Sequence, residues 1–239
     1  MTTIANNLQQ VLGRIAQACA AAGRAPDSVS LLAVSKTFGA QAVVEAAAAG
    51  QRAFGENYIQ EGVDKIAAVG RAFVPALQWH CIGPIQSNKT RLVAEHFDWA
   101  QTVDRLKTAE RLSAQRPDHL PPLQICIQVN IDGGPTKSGV APADTVELVR
   151  AVAKLPRLQV RGLMSIPDHA PDFEAQLAIH KSARRLFDQI SALKEEPGLE
   201  GFDTLSMGMT ADLEAAIHAG STLVRVGTGI FGGRTYPAP

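Results

Sequence analysis

Eight short apolar runs of strand length lie along the chain, and each of the first seven is followed by a stretch whose apolar residues recur at helical spacing. The runs are SLLAVS (30–35), RAFGEN (52–57), LQWHCIG (77–83), DWAQTV (98–103), LQICIQVNI (123–131), LQVRGLM (158–164), FDTLSM (202–207) and TLVRVG (222–227). Helical stretches lie between them at 40–50, closed by Gly50, at 58–69, from a Ser87 cap to Phe97, from Asp104, and at 142–154, 171–194 and 211–219. Alternating strands and helices imply parallel strands joined by right-handed crossovers. Eight such units in 239 residues predict a single-domain (β/α)8 TIM barrel over 1–239, a fold that typically takes about 250 residues. An open, doubly wound sheet is the rival that the same alternation could build. No Pro/Gly-rich linker divides the chain into halves, which favours the barrel. One extra helix precedes it at 4–22, with Ile4, Leu8, Val11, Leu12, Ile15 and Cys19 on one stripe.

Composition narrows the partners. With 8 Phe, 2 Tyr and 2 Trp, the core must be built mainly from Ala, Val, Leu and Ile. Lys plus Arg equals Asp plus Glu at 23 each, so the basic excess of a nucleic-acid or membrane-surface binder is lacking. The first residues have no basic segment followed by a long apolar run, so no secretory signal is expected. The longest stretch free of Asp, Glu, Lys and Arg, 72–88, contains Pro75, His80, Gly83 and Pro84, which excludes a spanning helix. Cys19, Cys81 and Cys126 are odd in number and lack C-x-x-C spacing, as expected of free thiols in the cytoplasm. The six histidines are scattered without ligand spacing, so no metal site is expected.

In a barrel of this kind the chemistry sits at the C-terminal ends of the strands. Lys36 follows the first strand directly, where partial desolvation favours the neutral amine and hence Schiff-base chemistry. After the seventh and eighth strands, Ser206-Met207-Gly208 and the glycine-rich stretch 227–232 offer hydroxyls and approachable backbone amides for a phosphate. The stretch 227–232 also reads G-x-G-x-x-G, but too few residues follow it for a dinucleotide-binding unit. A lysine and a phosphate cradle fit pyridoxal 5′-phosphate, and they also fit a phosphorylated sugar in an aldolase. Arg225 tips the balance toward pyridoxal phosphate. A guanidinium can hydrogen-bond a pyridine nitrogen and keep it unprotonated, which weakens the cofactor as an electron sink.

LLAVSKT, FGENYIQE, WHCIGPIQSNK, GLMSIP, LSMGMTADLEAAIHAGST and VRVGTGIFGGR resemble the pyridoxal phosphate homeostasis protein family. These proteins are single-domain relatives of the alanine racemase barrel, and the resemblance runs from about Ser30 to Arg234. It implies that Lys36 is the aldimine lysine, that Ser206, Gly227 and Thr228 hold the phosphate with Met207 in the same cradle, and that Arg225 faces the pyridine nitrogen. Asn57 and His80 match pocket-lining positions. The chain departs from the family pattern at Pro84, where histidine is usual, and in the loop 132–137, which is often rich in Glu. Any role tied to that rim does not carry over.

The family is implied to act in vitamin B6 and amino-acid homeostasis without a firmly established reaction. Racemisation needs an acid and a base on opposite faces of the α-carbon. In the racemases the second face is served by a tyrosine from another domain, whereas here only Tyr58 and Tyr236 are available. A cofactor carrier is therefore the leading expectation, in the cytoplasm, as a monomer or weak dimer, with apo-enzymes and amino acids as further partners. A weak or specialised racemase is second, and a Schiff-base aldolase is a distant third.

Overall fold

The computed structural model describes residues 3–233 except 71, 74, 135 and 136. Its strands are β1 (Ser30–Val34), β2 (Ala53–Glu56), β3 (Gln78–Cys81), β4 (Trp99–Val103), β5 (Leu123–Val129), β6 (Leu158–Ser165), β7 (Thr204–Ser206) and β8 (Leu223–Val226). Each pairs in parallel with the next, and β8 closes onto β1 from Ser30↔Leu223 to Ala33↔Val226. That last pairing excludes the open sheet, which would leave two free edges.

The outer layer comprises α1 (Ile4–Ala21), α2 (Ala40–Ala48), α3 (Ile59–Val69), α4 (Thr90–His96), α5 (Leu106–Gln115), α6 (Thr145–Ala153), α7 (Phe173–Ser191), α8 (Leu213–His218) and the one-turn α9 (Thr228–Phe231). Ser87 does not cap α4. The helix starts later, at Thr90, because the Ser87 carbonyl accepts from Thr90 Oγ1 at 3.1 Å and Arg111 Nη1 at 2.6 Å, an arrangement of a preceding turn. Asp172 caps α7 through Oδ1, which accepts from the Ala175 N–H at 2.9 Å.

Both faces of a barrel strand are buried, so strands read as apolar runs rather than alternating patterns. The two faces still differ. Leu31 and Ala33 join the main core between sheet and helices, whereas Leu32 and Val34 pack inside the barrel with Ile82 and Leu223. Trp99, Cys126 and Met164 form a second interior cluster. Extra helix α1 buries Leu8, Val11, Ile15, Ala18 and Cys19, and ties down the β7–β8 side. Its Asn7 Nδ2 donates to the Ile230 carbonyl at 2.9 Å, and Arg14 Nη2 donates to the Thr210 carbonyl at 3.1 Å. The three cysteines are free and buried, and burial pushes the Cys81 and Cys126 thiols up to about 12, so neither is a nucleophile. Among the described residues no helix is long and apolar enough to cross a membrane, and no cluster of metal-ligating side chains occurs.

Candidate functional site

Lys36 leaves the end of β1 on a turn gripped by charged side chains. Ser35 Oγ donates to Glu56 Oε1 at 2.5 Å. Behind the turn, Lys65 of α3 is nearly inaccessible, and its ammonium donates to the Ser35 carbonyl, Glu56 Oε1 and Glu61 Oε1 at 2.6, 2.8 and 2.6 Å. Three acceptors satisfy its three protons. Glu61 Oε1 also accepts from the Thr37 N–H at 2.6 Å, where the backbone is left-handed at φ 69°. A non-glycine residue in that region costs on the order of 1 kcal/mol, offset here by the clamp. Burial raises the Glu56 carboxyl above its ordinary range, and the Lys65 charge opposes that shift.

Opposite stands a side made largely of backbone. After β7 the chain turns at Gly208, where φ is +94° and an added Cβ would lie 2.4 Å from Ala216 Cβ. That turn carries Met209 and Thr210 to the barrel mouth. Asp212 holds the loop by accepting from the Met209 N–H at 2.6 Å and pairing with His180 Nε2 at 2.9 Å. After β8, Gly227 approaches β1 so closely that a Cβ would meet the Val34 carbonyl at 3.1 Å. It leads into α9, whose first N–H groups have no partner within the helix.

Between these two sides lies a cavity of about 310 Å³. Lys36, Asn57, Arg225, Gly227 and Thr228 line it, as the sequence reading expects. Phe38, Ile82, Ile166, Met209 and Thr210 line it too and were not expected. The T that follows LSMGM is a signal that could have found Thr210, because a hydroxyl beyond a glycine turn is better placed than one inside the strand. A second cavity of about 250 Å³ adjoins the first and shares Asn57, Ile82 and Ile166 with it. Pro84, Thr102, Gln128 and Lys137 form its far wall. Lys137 bridges Asp132 at 2.7 Å and Asp168 at 2.9 Å, so the atypical loop closes that rim with an ion-pair strap.

Three expected residues stand elsewhere. Ser206 and His80 point into the barrel but one layer below the cavity, 0% and 1% exposed. Met207, one residue on from Ser206, has the opposite parity and is buried in the outer core, with its N–H donated to the Leu223 carbonyl at 3.1 Å. Ser206 and Met207 therefore do not line the cavity, whereas Met209 and Thr210 of the loop beyond Gly208 do. Tyr58 is exposed on the loop after β2 and does not line the cavity, while Tyr236 lies outside the described residues.

Arg225 is 4% exposed and donates Nη1–H to Ser206 Oγ at 2.7 Å and Nη2–H to the Ser165 carbonyl at 2.9 Å. Burial lowers its pKa to about 10, which leaves it charged at neutral pH. Burial also lowers the His80 pKa to about 3, which leaves that ring neutral.

A parallel eight-stranded barrel with a lysine at β1, glycine-turned loops at β7–β8 and an arginine in the same cavity defines the class of alanine racemase-like barrels. The family described as the alanine racemase N-terminal domain matches residues 5–235. Pyridoxal phosphate homeostasis proteins from Pseudomonas aeruginosa and Escherichia coli are 54% and 53% identical to this chain, over 100% and 99% of it and 99% of each relative. PipY of Synechococcus elongatus, solved with pyridoxal phosphate bound, superposes with a TM-score of 0.77 at 37% identity, covering 91% of this chain and 100% of that one. An alanine racemase of Clostridium difficile, 16% identical, shares the fold with a TM-score of 0.71, over 97% of this chain and 57% of that one. The chain belongs to the pyridoxal phosphate homeostasis proteins, within the alanine racemase N-terminal domain family.

Proposed function

We propose that this chain binds pyridoxal 5′-phosphate in the barrel mouth with Lys36 as its Schiff-base lysine. Its role on this reading is that of a carrier in vitamin B6 and amino-acid homeostasis, delivering the cofactor to apo-enzymes. The observation that carries the reading is one cavity holding a lysine side chain, a buried guanidinium and an anion cradle of Thr210, Gly227 and Thr228. Its volume, about 310 Å³, lies at the small end of the roughly 300–1,000 Å³ usual for small-molecule sites.

Three functional groups of the cofactor have a candidate partner in the cavity. The cofactor would supply an aldehyde, and Lys36 would hold it there through its amine. Thr210, Gly227 and Thr228 would hold the phosphate through hydroxyls and backbone amides. Arg225 keeps its own proton and would donate to the ring nitrogen, leaving that nitrogen unprotonated. Among the described lining residues, Lys36 and Arg225 are the ionisable ones. With Arg225 held protonated, proton transfer falls to Lys36 alone, which serves one face of an α-carbon. That arrangement favours holding the cofactor over turning substrate over. The adjoining 250 Å³ cavity is what favours a second reading, an amino-acid racemase or related enzyme with its substrate there.

A spectrum of the purified, cofactor-loaded protein tests the reading. We expect a visible band that Lys36→Ala abolishes, and borohydride reduction that fixes the cofactor on Lys36. A label on another lysine would overturn the assignment. Steady conversion of an L-amino acid to its D-form, lost in Lys36→Ala, would overturn the carrier role, whereas transfer to an apo-enzyme faster than free dissociation would support it.

A further inference from the structure

Beneath the cavity, Ser206, Gln101 and His80 form a hydrogen-bonded column that ends on Arg225, and none of the four is more than 4% exposed. Barrel interiors are usually filled by branched apolar side chains, and buried polar groups are costly unless bonded. Arg225 fixes the direction of the first bond, and the placement of the Gln101 carboxamide sets the others. Arg225 has donors only, so Ser206 Oγ accepts from Nη1 and turns its own proton to Gln101 Oε1, 2.7 Å away. That orients the Gln101 carboxamide with its nitrogen toward His80 Nδ1, at 2.8 Å. With the amide nitrogen donating, Nδ1 is the acceptor and the ring proton sits on Nε2, which is buried and has no hydrogen-bond partner. His80 is fixed in turn by stacking on Trp99, with centroids 4.9 Å apart and planes 10° apart.

We propose that Gln101 and His80 are positioning residues for the cofactor site: without touching the cavity, they hold the Ser206 hydroxyl so that Arg225 is aimed at the ring nitrogen. The inference rests on the pyridoxal phosphate reading and deepens it. Only two anchors hold the guanidinium among the bonds described, Ser206 Oγ and the Ser165 carbonyl. Removing the Gln101 acceptor frees the Ser206 proton to rotate, which weakens the first anchor. A further charge acts on Arg225 from Asp212, before α8, and favours its protonated form.

The column can be tested with and without cofactor. Imidazole 15N spectra of the unloaded protein are expected to show His80 as one neutral ring, protonated on Nε2, from about pH 5 to pH 9. A proton on Nδ1, or titration in that range, would overturn the proposal. With cofactor loaded, Gln101→Met should weaken binding about tenfold and make the absorption band pH-dependent where the wild-type band is not. Ser206→Ala, a smaller change, should reproduce that signature, and His80→Phe should show it more weakly. Gln101→Met combined with Arg225→Ala should be no worse than Arg225→Ala alone. Wild-type band and affinity in both Gln101→Met and Ser206→Ala, with only the melting temperature lowered, would overturn the positioning role and leave the cofactor reading standing. Absence of any Lys36-dependent band in the wild type would overturn the cofactor reading itself, and with it the role assigned to the column.

Discussion

The two sides of the cavity are held by opposite means. At β1, the Lys36 turn is gripped by side chains of formal charge, with Lys65 placed between Glu56 and Glu61. At β7–β8, the proposed anion cradle is built of glycine turns and backbone, braced from outside by α1 and Asp212. The difference matches the two tasks proposed for them, a lysine to bind the cofactor and a cradle for its phosphate. A reactive amine must be delivered on a side chain whose root cannot swing, and a buried ionic clamp around a left-handed residue achieves that. A phosphate is held by many short N–H and O–H donors, which demands close backbone approach rather than charge.

Breaking the charged side should cost most. Lys65→Met leaves two carboxylates facing each other behind the turn, and we expect a loss of about 3–5 kcal/mol in denaturant unfolding. A loss below about 1 kcal/mol would mean that the clamp is not what holds Lys36. On the backbone side, Gly208→Ala places a methyl against Ala216 in a left-handed turn, and should cost about 2 kcal/mol together with weaker cofactor binding.

Acid should test the column between the two sides. The His80 pKa is about 3 folded against an ordinary 6.5, so its contribution is whole above 6.5 and lost as pH falls toward 3. The expected slope is up to about 1.4 kcal/mol per pH unit in that window. It should flatten in His80→Phe, and an unchanged slope would show that His80 is not the group responsible. The smallest effect belongs to the cradle hydroxyl. Thr210→Val should leave unfolding within about 0.5 kcal/mol of wild type, yet weaken cofactor affinity by about 1 kcal/mol, measured by titration. Equal affinity would shift the anion contact to Gly227 and Thr228 alone.

Much of the fold was legible because each β/α unit writes its own local pattern. Runs such as LQICIQV are of strand length, and the stripe of α1 repeats at helical spacing. Lys36, Asn57, Arg225, Gly227 and Thr228 were legible because position at a strand end is enough to bring a residue to the mouth. Ser206 and Met207 were misplaced because β7 ends one layer below the cavity, with Ser206 buried in the barrel and Met207 in the outer core, and the mouth begins beyond Gly208. Ser87 was misread as a cap because its carbonyl, rather than its hydroxyl, has the turn-forming role. The Lys65 clamp was invisible since nothing in the helical spacing of α3 says that a lysine on it turns inward beneath β1.

By itself, then, the order of residues determined the eight repeated units, the lysine at the end of the first strand, and the glycines and arginine at the end of the last. Closure of the barrel decided the rest. Pairing β8 with β1 set which hydroxyls reach the cavity and which sink a layer below it, and it brought Gln101 of β4 against Ser206 of β7. The Gln101–Ser206 contact joins residues 105 positions apart, and it depends on the registers of successive strands taken together. No local pattern encodes that sum, because each strand's own apolar run is satisfied whether its polar residue ends up at the mouth or one layer down.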